Sequence, residues 1–223
     1  MDPASRNKTV AIALAALIAA AAAGWWVYGE HQKRELRKSI VGLIADTGAR
    51  MRAALTATDS GPEAARKLEE HSAAAEQNFS SLKGMNTARE AALAEAADDY
   101  LLTCREILKR VVNIQRSRQL LSESLPALIE HMRSDNRTGT WVQEAVKARE
   151  RVNKDYRDLN LATGALDTLL QSFPASQKKI SPYVDRAELI DDGTVASART
   201  RALEAAKQAA TEIEKTRQLD AFR

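Results

Sequence analysis

Apolar residues recur along this chain at alternating spacings of three and four, and no long segment alternates by two. That period predicts helices and no sheet. The clearest stripe is Ala97, Tyr100, Cys104, Ile107, Val111, Ile114, Arg118, Leu121 and Leu125, and Leu101, Leu108 and Val112 widen it into a face that meets more than one neighbour. It predicts a central helix over about 87–133, opened by a Thr87–Glu90 capping box. Pro126 then either kinks this helix or, with Ser124 as cap, starts a short extension. A second unbroken stripe, Ala145, Arg149, Val152, Tyr156, Leu159, Thr163, Leu166, Leu170 and Phe173, predicts a helix over about 141–173, launched by Thr140 and Gln143 and ended by Pro174. The polar run SDNRTG between them turns the pair into an antiparallel hairpin.

Shorter stripes complete the bundle. Leu36, Ile40, Leu43, Met51 and Leu55 predict a helix over about 30–58, and Asp59 to Glu63 then combine a turn, a proline at a first helical position and a Ser-x-x-Glu cap. Ala65, Leu68, Ser72, Ala75, Phe79 and Leu82 predict a helix over 62–83 that stops at Gly84. Residues 174–193 read as an irregular connector, unusually long for a compact domain. A last helix over 195–219 turns Ala198, Ala202, Ala205, Ala209 and Ile213 inward. Its small residues bury little area, so it should be the least stable element. The fold class expected is all-α: an antiparallel long-helix, coiled-coil-like bundle of four to five helices occupying 30–223.

Val10–Tyr28 breaks the pattern, because its nineteen residues include no charge. As a helix they span about 28 Å, close to the hydrocarbon thickness of a bilayer. The expectation is a single transmembrane anchor over 10–29, preceded by a short basic tail over 1–9. Arg6, Lys8 and the alanine run also fit a cleaved signal peptide, but Trp25, Trp26 and Tyr28 form an aromatic cluster suited to a membrane interface, followed at once by charged residues. A retained anchor is therefore the reading adopted. Lysine and arginine are nearly balanced across it, and the basic start before an apolar run favours an extracytoplasmic bundle, periplasmic in a bacterium.

Charge and composition then exclude several classes. The 33 basic and 30 acidic residues are interspersed and the net charge is +3, so nucleic-acid binding is not suggested. Cys104 is the only cysteine, which rules out an intrachain disulfide and a cysteine-based zinc site. No glycine-rich phosphate loop, His-Glu-x-x-His or calcium loop occurs, and His31, His71 and His131 lie on separate segments as solvated surface residues. No cofactor, metal or catalytic residue is expected.

Three features carry the remaining candidate chemistry. Arg118 and Arg149 occupy seam positions at similar heights of the predicted hairpin, where they form either an anion-binding notch or seam edges paired with Glu123 and Glu144. Trp141, just past the turn, either caps the core or anchors a partner. Leu36, Ile40 and Leu43 lie just above the anchor, where a second copy or another membrane-associated helical protein would cover an open seam. The layout resembles that of LemA-type membrane proteins and, less closely, the helical sensor domains of chemoreceptors, in architecture and not in motifs. The function expected is a non-enzymatic, membrane-anchored scaffold, spacer or accessory subunit working through helix–helix contacts. The alternative is a sensor or small anionic-ligand-binding bundle at the membrane.

Overall fold

The computed structural model describes the backbone of residues 3–57, 61–134 and 139–221, and the side chains of 24–57, 61–134 and 139–215. The described residues form α1 (Pro3–Thr56), α2 (Pro62–Gly84), α3 (Ala91–Arg133), α4 (Trp141–Ile180) and α5 (Asp192–Ala221), with short 3₁₀ turns at Ala88–Glu90 and Arg186–Glu188. None of them is in a strand, as the absence of a period of two predicts. The helices pack against one another, and α3 alone touches all four others. Its position follows from its wide face: Leu93, Tyr100, Leu101, Cys104, Ile107 and Leu108 are all fully buried. Burial of each large apolar side chain among them contributes about 1.5–3 kcal/mol.

α1 is one continuous helix of 54 residues, with no break between the charge-free stretch and the segment that packs into the bundle. Among the described residues no helix is long and apolar enough to cross a membrane. Most of the predicted anchor, residues 10–23, lies outside those with described side chains, as does the whole basic tail.

Several boundaries differ from the sequence reading. α4 does not end at Pro174 but runs on to Ile180 with the proline inside it. A helix-internal proline loses one backbone bond and crowds the carbonyl four residues back, at a cost of about 3 kcal/mol. Beyond Pro174, however, Ser176, Gln177 and Ile180 are all buried, and their packing offsets that cost. The connector therefore shrinks to 181–191, and it is tied down along its length. The Gln177 side chain donates to the Ile190 carbonyl at 2.9 Å and accepts from the Ile190 N–H at 2.7 Å, pairing with it as a neighbouring strand would. Arg52 of α1 donates to the carbonyls of Ala187 at 2.9 Å and Leu189 at 2.8 Å. Likewise α3 passes through Pro126 to Arg133. At its start, Thr87 makes no capping bond; a 3₁₀ turn precedes the helix instead. Ser60, the other predicted cap, lies outside the described residues.

Polar pairs inside the bundle fix which helices meet. Ser124 of α3 donates to Asp155 of α4 at 2.8 Å, with both residues buried. Between α1 and α2, the Asn78 amide donates to Asp46 at 2.7 Å and to the buried Thr47 hydroxyl at 2.9 Å. Arg105 of α3 reaches Glu76 of α2 at 3.3 Å and lies 4.6 Å from the centre of the Phe79 ring. Such bonds add little net energy singly, but breaking one leaves a buried polar atom unpaired at about 1–3 kcal/mol.

Candidate functional site

Two ends of the molecule hold the candidate residues. At the lower end α1 emerges from the charge-free stretch carrying Trp25, Trp26, Val27 and Tyr28 exposed in succession, the two tryptophans at 76% and 69%. Among the described residues none covers this run. It is unusual for a folded surface, where such patches mark interaction with a partner or a membrane. The turn between α2 and α3 comes down beside it. Arg89 donates to Gln32 at 2.5 Å and to the Gly29 carbonyl at 3.4 Å, and Gln32 in turn donates to the Tyr28 hydroxyl at 2.5 Å. The aromatic run is thus held in fixed relation to the base of the bundle.

Just above it, the chain itself takes up part of the predicted contact seam. Ile40 is fully buried, and Leu36 and Leu43 pack against the same core. Ile40 is thus a core position, while Leu36 and Leu43 stay half-buried at its edge; the connector closes on α1 nearby, where Arg37, one residue beyond Leu36, has its guanidinium 6.0 Å from the ring centre of Tyr183.

The two seam arginines stand at the edge of the seam and not within it. Arg118 and Arg149 are both exposed, and the inward positions beside them are filled by Ser117 and by Val152. Arg118 lines two cavities, and neither includes Arg149; the one of about 270 Å³ has Arg201 of α5 on its wall. Arg201 is already engaged, donating to the carbonyls of Leu55 and, at 3.2 Å, Ala57. These carbonyls stand at the end of α1, where a cation also meets the negative end of the helix dipole. Arg201 is therefore a helix cap supplied from a distant segment, a role that local sequence does not signal.

At the upper end Trp141 is half-buried against His131, their rings stacked with centroids 5.3 Å apart. His131 is thereby corrected from solvated surface to the closing contact of the α3–α4 hairpin. His71 is also only partly exposed, with its Nδ1 buried and unpartnered between α1 and α2. Only His31 is as exposed as expected. Cys104 is wholly buried, and that burial pushes its thiol well above the ordinary range, which makes it unreactive. Among the described residues, no three His, Cys, Asp or Glu side chains are gathered so as to hold a metal ion.

No protein-family model matches the chain, and neither a curated protein nor a solved structure matches it.

Proposed function

We propose that this chain is a non-enzymatic scaffold or spacer, a helical bundle tethered to a membrane by Val10–Tyr28 and displaying its far end to a partner. The observation that carries the reading is the continuity of α1. One unbroken helix holds the charge-free stretch, then the exposed aromatic run, then Ile40, Ile44, Met51 and Leu55 buried in the core. At 1.5 Å per residue it is about 80 Å long, and a helix packed over its upper half transmits orientation from bilayer to bundle. A flexible linker would not.

The partner-facing end in this proposal is the α3–α4 hairpin tip, far from the charge-free stretch because α3 starts beside Gln32 and runs the same way as α1. There Val142 and Val146, one helical turn apart, are 63% and 51% exposed. They offer an apolar stripe to a helix of a second copy or of another membrane-associated protein. An extracytoplasmic location for the bundle belongs to the same proposal and rests on the basic start alone.

The test is flotation of the full chain with phosphatidylcholine–phosphatidylglycerol vesicles after an alkaline carbonate wash. The intact chain should float, whereas a Leu14→Arg, Leu17→Arg double variant of equal helicity should not, since two charges at mid-span cost several kcal/mol. Recovery of the intact chain in the soluble fraction would overturn the reading.

A further inference from the structure

The base of the bundle contains a cleft of about 540 Å³ lined by Tyr28, Gln32, Leu36 and their neighbours on α1 and by Asn86, Ala88 and Arg89 of the α2–α3 turn. Its walls are fixed by the Arg89–Gln32–Tyr28 chain of hydrogen bonds. That chain uses only the Nη1 of Arg89, so among the described residues the Nε and Nη2 donors have no protein partner. The cleft also receives His31 and Glu35 from α1, both exposed, and the Glu35 carboxylate makes no bond within the described residues. A cationic fork, an imidazole and two side-chain amides stand with one carboxylate around the cleft, which opens beside the exposed aromatic run.

We infer that this cleft binds the headgroup of a phospholipid carrying a primary ammonium, with the phosphate on the free Arg89 donors and the ammonium on Glu35. The inference rests on the proposed membrane attachment, which sets Tyr28 at the bilayer surface and the cleft at headgroup depth. Charge complementarity selects the ligand. Arginine presents a planar fork that fits phosphate oxygens, and such charge-assisted bonds are about twice as strong as neutral ones. A lone carboxylate beside it disfavours a purely anionic headgroup but suits a zwitterion whose ammonium donates hydrogen bonds. The Tyr28 ring, on the membrane side of Glu35, supplies an apolar wall for the glycerol and first acyl carbons, while Leu36 and Ala88 line the cleft deeper in. Bound there, the lipid would link the α2–α3 turn to α1 and hold the bundle upright.

The full chain, reconstituted in vesicles of equal phosphatidylethanolamine and phosphatidylcholine and extracted in mild detergent, should retain phosphatidylethanolamine in native mass spectra. R89Q should retain on the order of tenfold less, the loss expected for one charge-assisted pair. E35Q breaks no bond within the described residues, so its fold is unaffected, and it should bind both lipids alike. Flotation of the same samples separates the two readings. If the chain floats but carries no lipid, or if R89Q and E35Q retain phosphatidylethanolamine as the unaltered chain does, the headgroup site is wrong and the anchor stands. If the chain does not float, both fall.

Discussion

The indole of Trp141 donates to the His131 carbonyl at 3.2 Å while the His131 ring pairs with the Trp141 carbonyl at 3.0 Å, so the two residues exchange hydrogen bonds across the mouth of the α3–α4 hairpin as their rings stack. A carbonyl only accepts, so Nε2 of His131 carries the proton. Ten residues apart in sequence, they close the turn from both sides. Trp141→Ala removes the stack and one bond together, and should lower stability by about 1–3 kcal/mol. Thermal melting of the variant checks this; a shift no larger than that of a nearby surface change would remove the hairpin clasp from the account.

Gly48 and Gly42 of α1 should respond oppositely to alanine. A Cβ on Gly48 would lie 3.0 Å from both the Glu188 carbonyl and the Tyr100 hydroxyl, whereas one on Gly42 would meet nothing within 4 Å. In an open helix position the change stabilises by roughly 0.5–1 kcal/mol, but forcing the connector off α1 costs about 1–3 kcal/mol. Chemical denaturation of both variants should show Gly42→Ala above the parent and Gly48→Ala below it. The same sign for both would mean that the connector does not sit where α1 and Tyr100 place it.

Ser124 and Asp155 offer a measure of the α3–α4 seam. Asp155→Ala strands the buried Ser124 hydroxyl and should destabilise by about 1–3 kcal/mol, and adding Ser124→Ala should recover part of that loss. A double-mutant cycle with no coupling would contradict the pairing.

Acid should weaken the α1–α2 and α2–α3 contacts. The Arg50 hydrogen bond holds the Asp46 carboxyl below its usual value of 3.8, and the Lys109 bond does the same for Glu76 relative to 4.5. Both folded-state values are depressed, so the stability they contribute is present above the ordinary carboxylate range and is lost as pH falls through it. Both groups are substantially exposed, so solvent screening keeps the effect small. Asp46→Asn together with Glu76→Gln should flatten the acid side of the stability profile between about pH 5 and 3; an unchanged profile would assign the acid sensitivity elsewhere.

The stripes were legible where packing follows a simple period. Ala97, Tyr100, Cys104, Ile107, Ile114 and Leu121 are all buried as their spacing predicts. The period misled at Arg118, where Ser117 turns inward and the arginine stays in solvent. Small polar residues satisfy a helix seam as well as apolar ones, so hydrophobicity does not locate them. Pro174 misled for another reason, since its local cost is real but is outweighed by the buried residues that follow. Gln177 with Ile190, Arg52 with the connector and Arg201 with the end of α1 all join side chains to backbone carbonyls or N–H groups. The last two are more than a hundred residues apart, and a backbone partner leaves no residue type to search for.

The central claim is that α1 carries its direction unbroken from the membrane into the bundle. Spin labels on cysteines at Gly24 and Ala49, both exposed, in a Cys104→Ser chain held in lipid nanodiscs, measure this directly. A continuous helix predicts one narrow distance distribution near 38 Å, twenty-five residues at 1.5 Å each. A broad distribution, or one centred well below that length, would place a hinge between the charge-free stretch and the bundle and contradict the account.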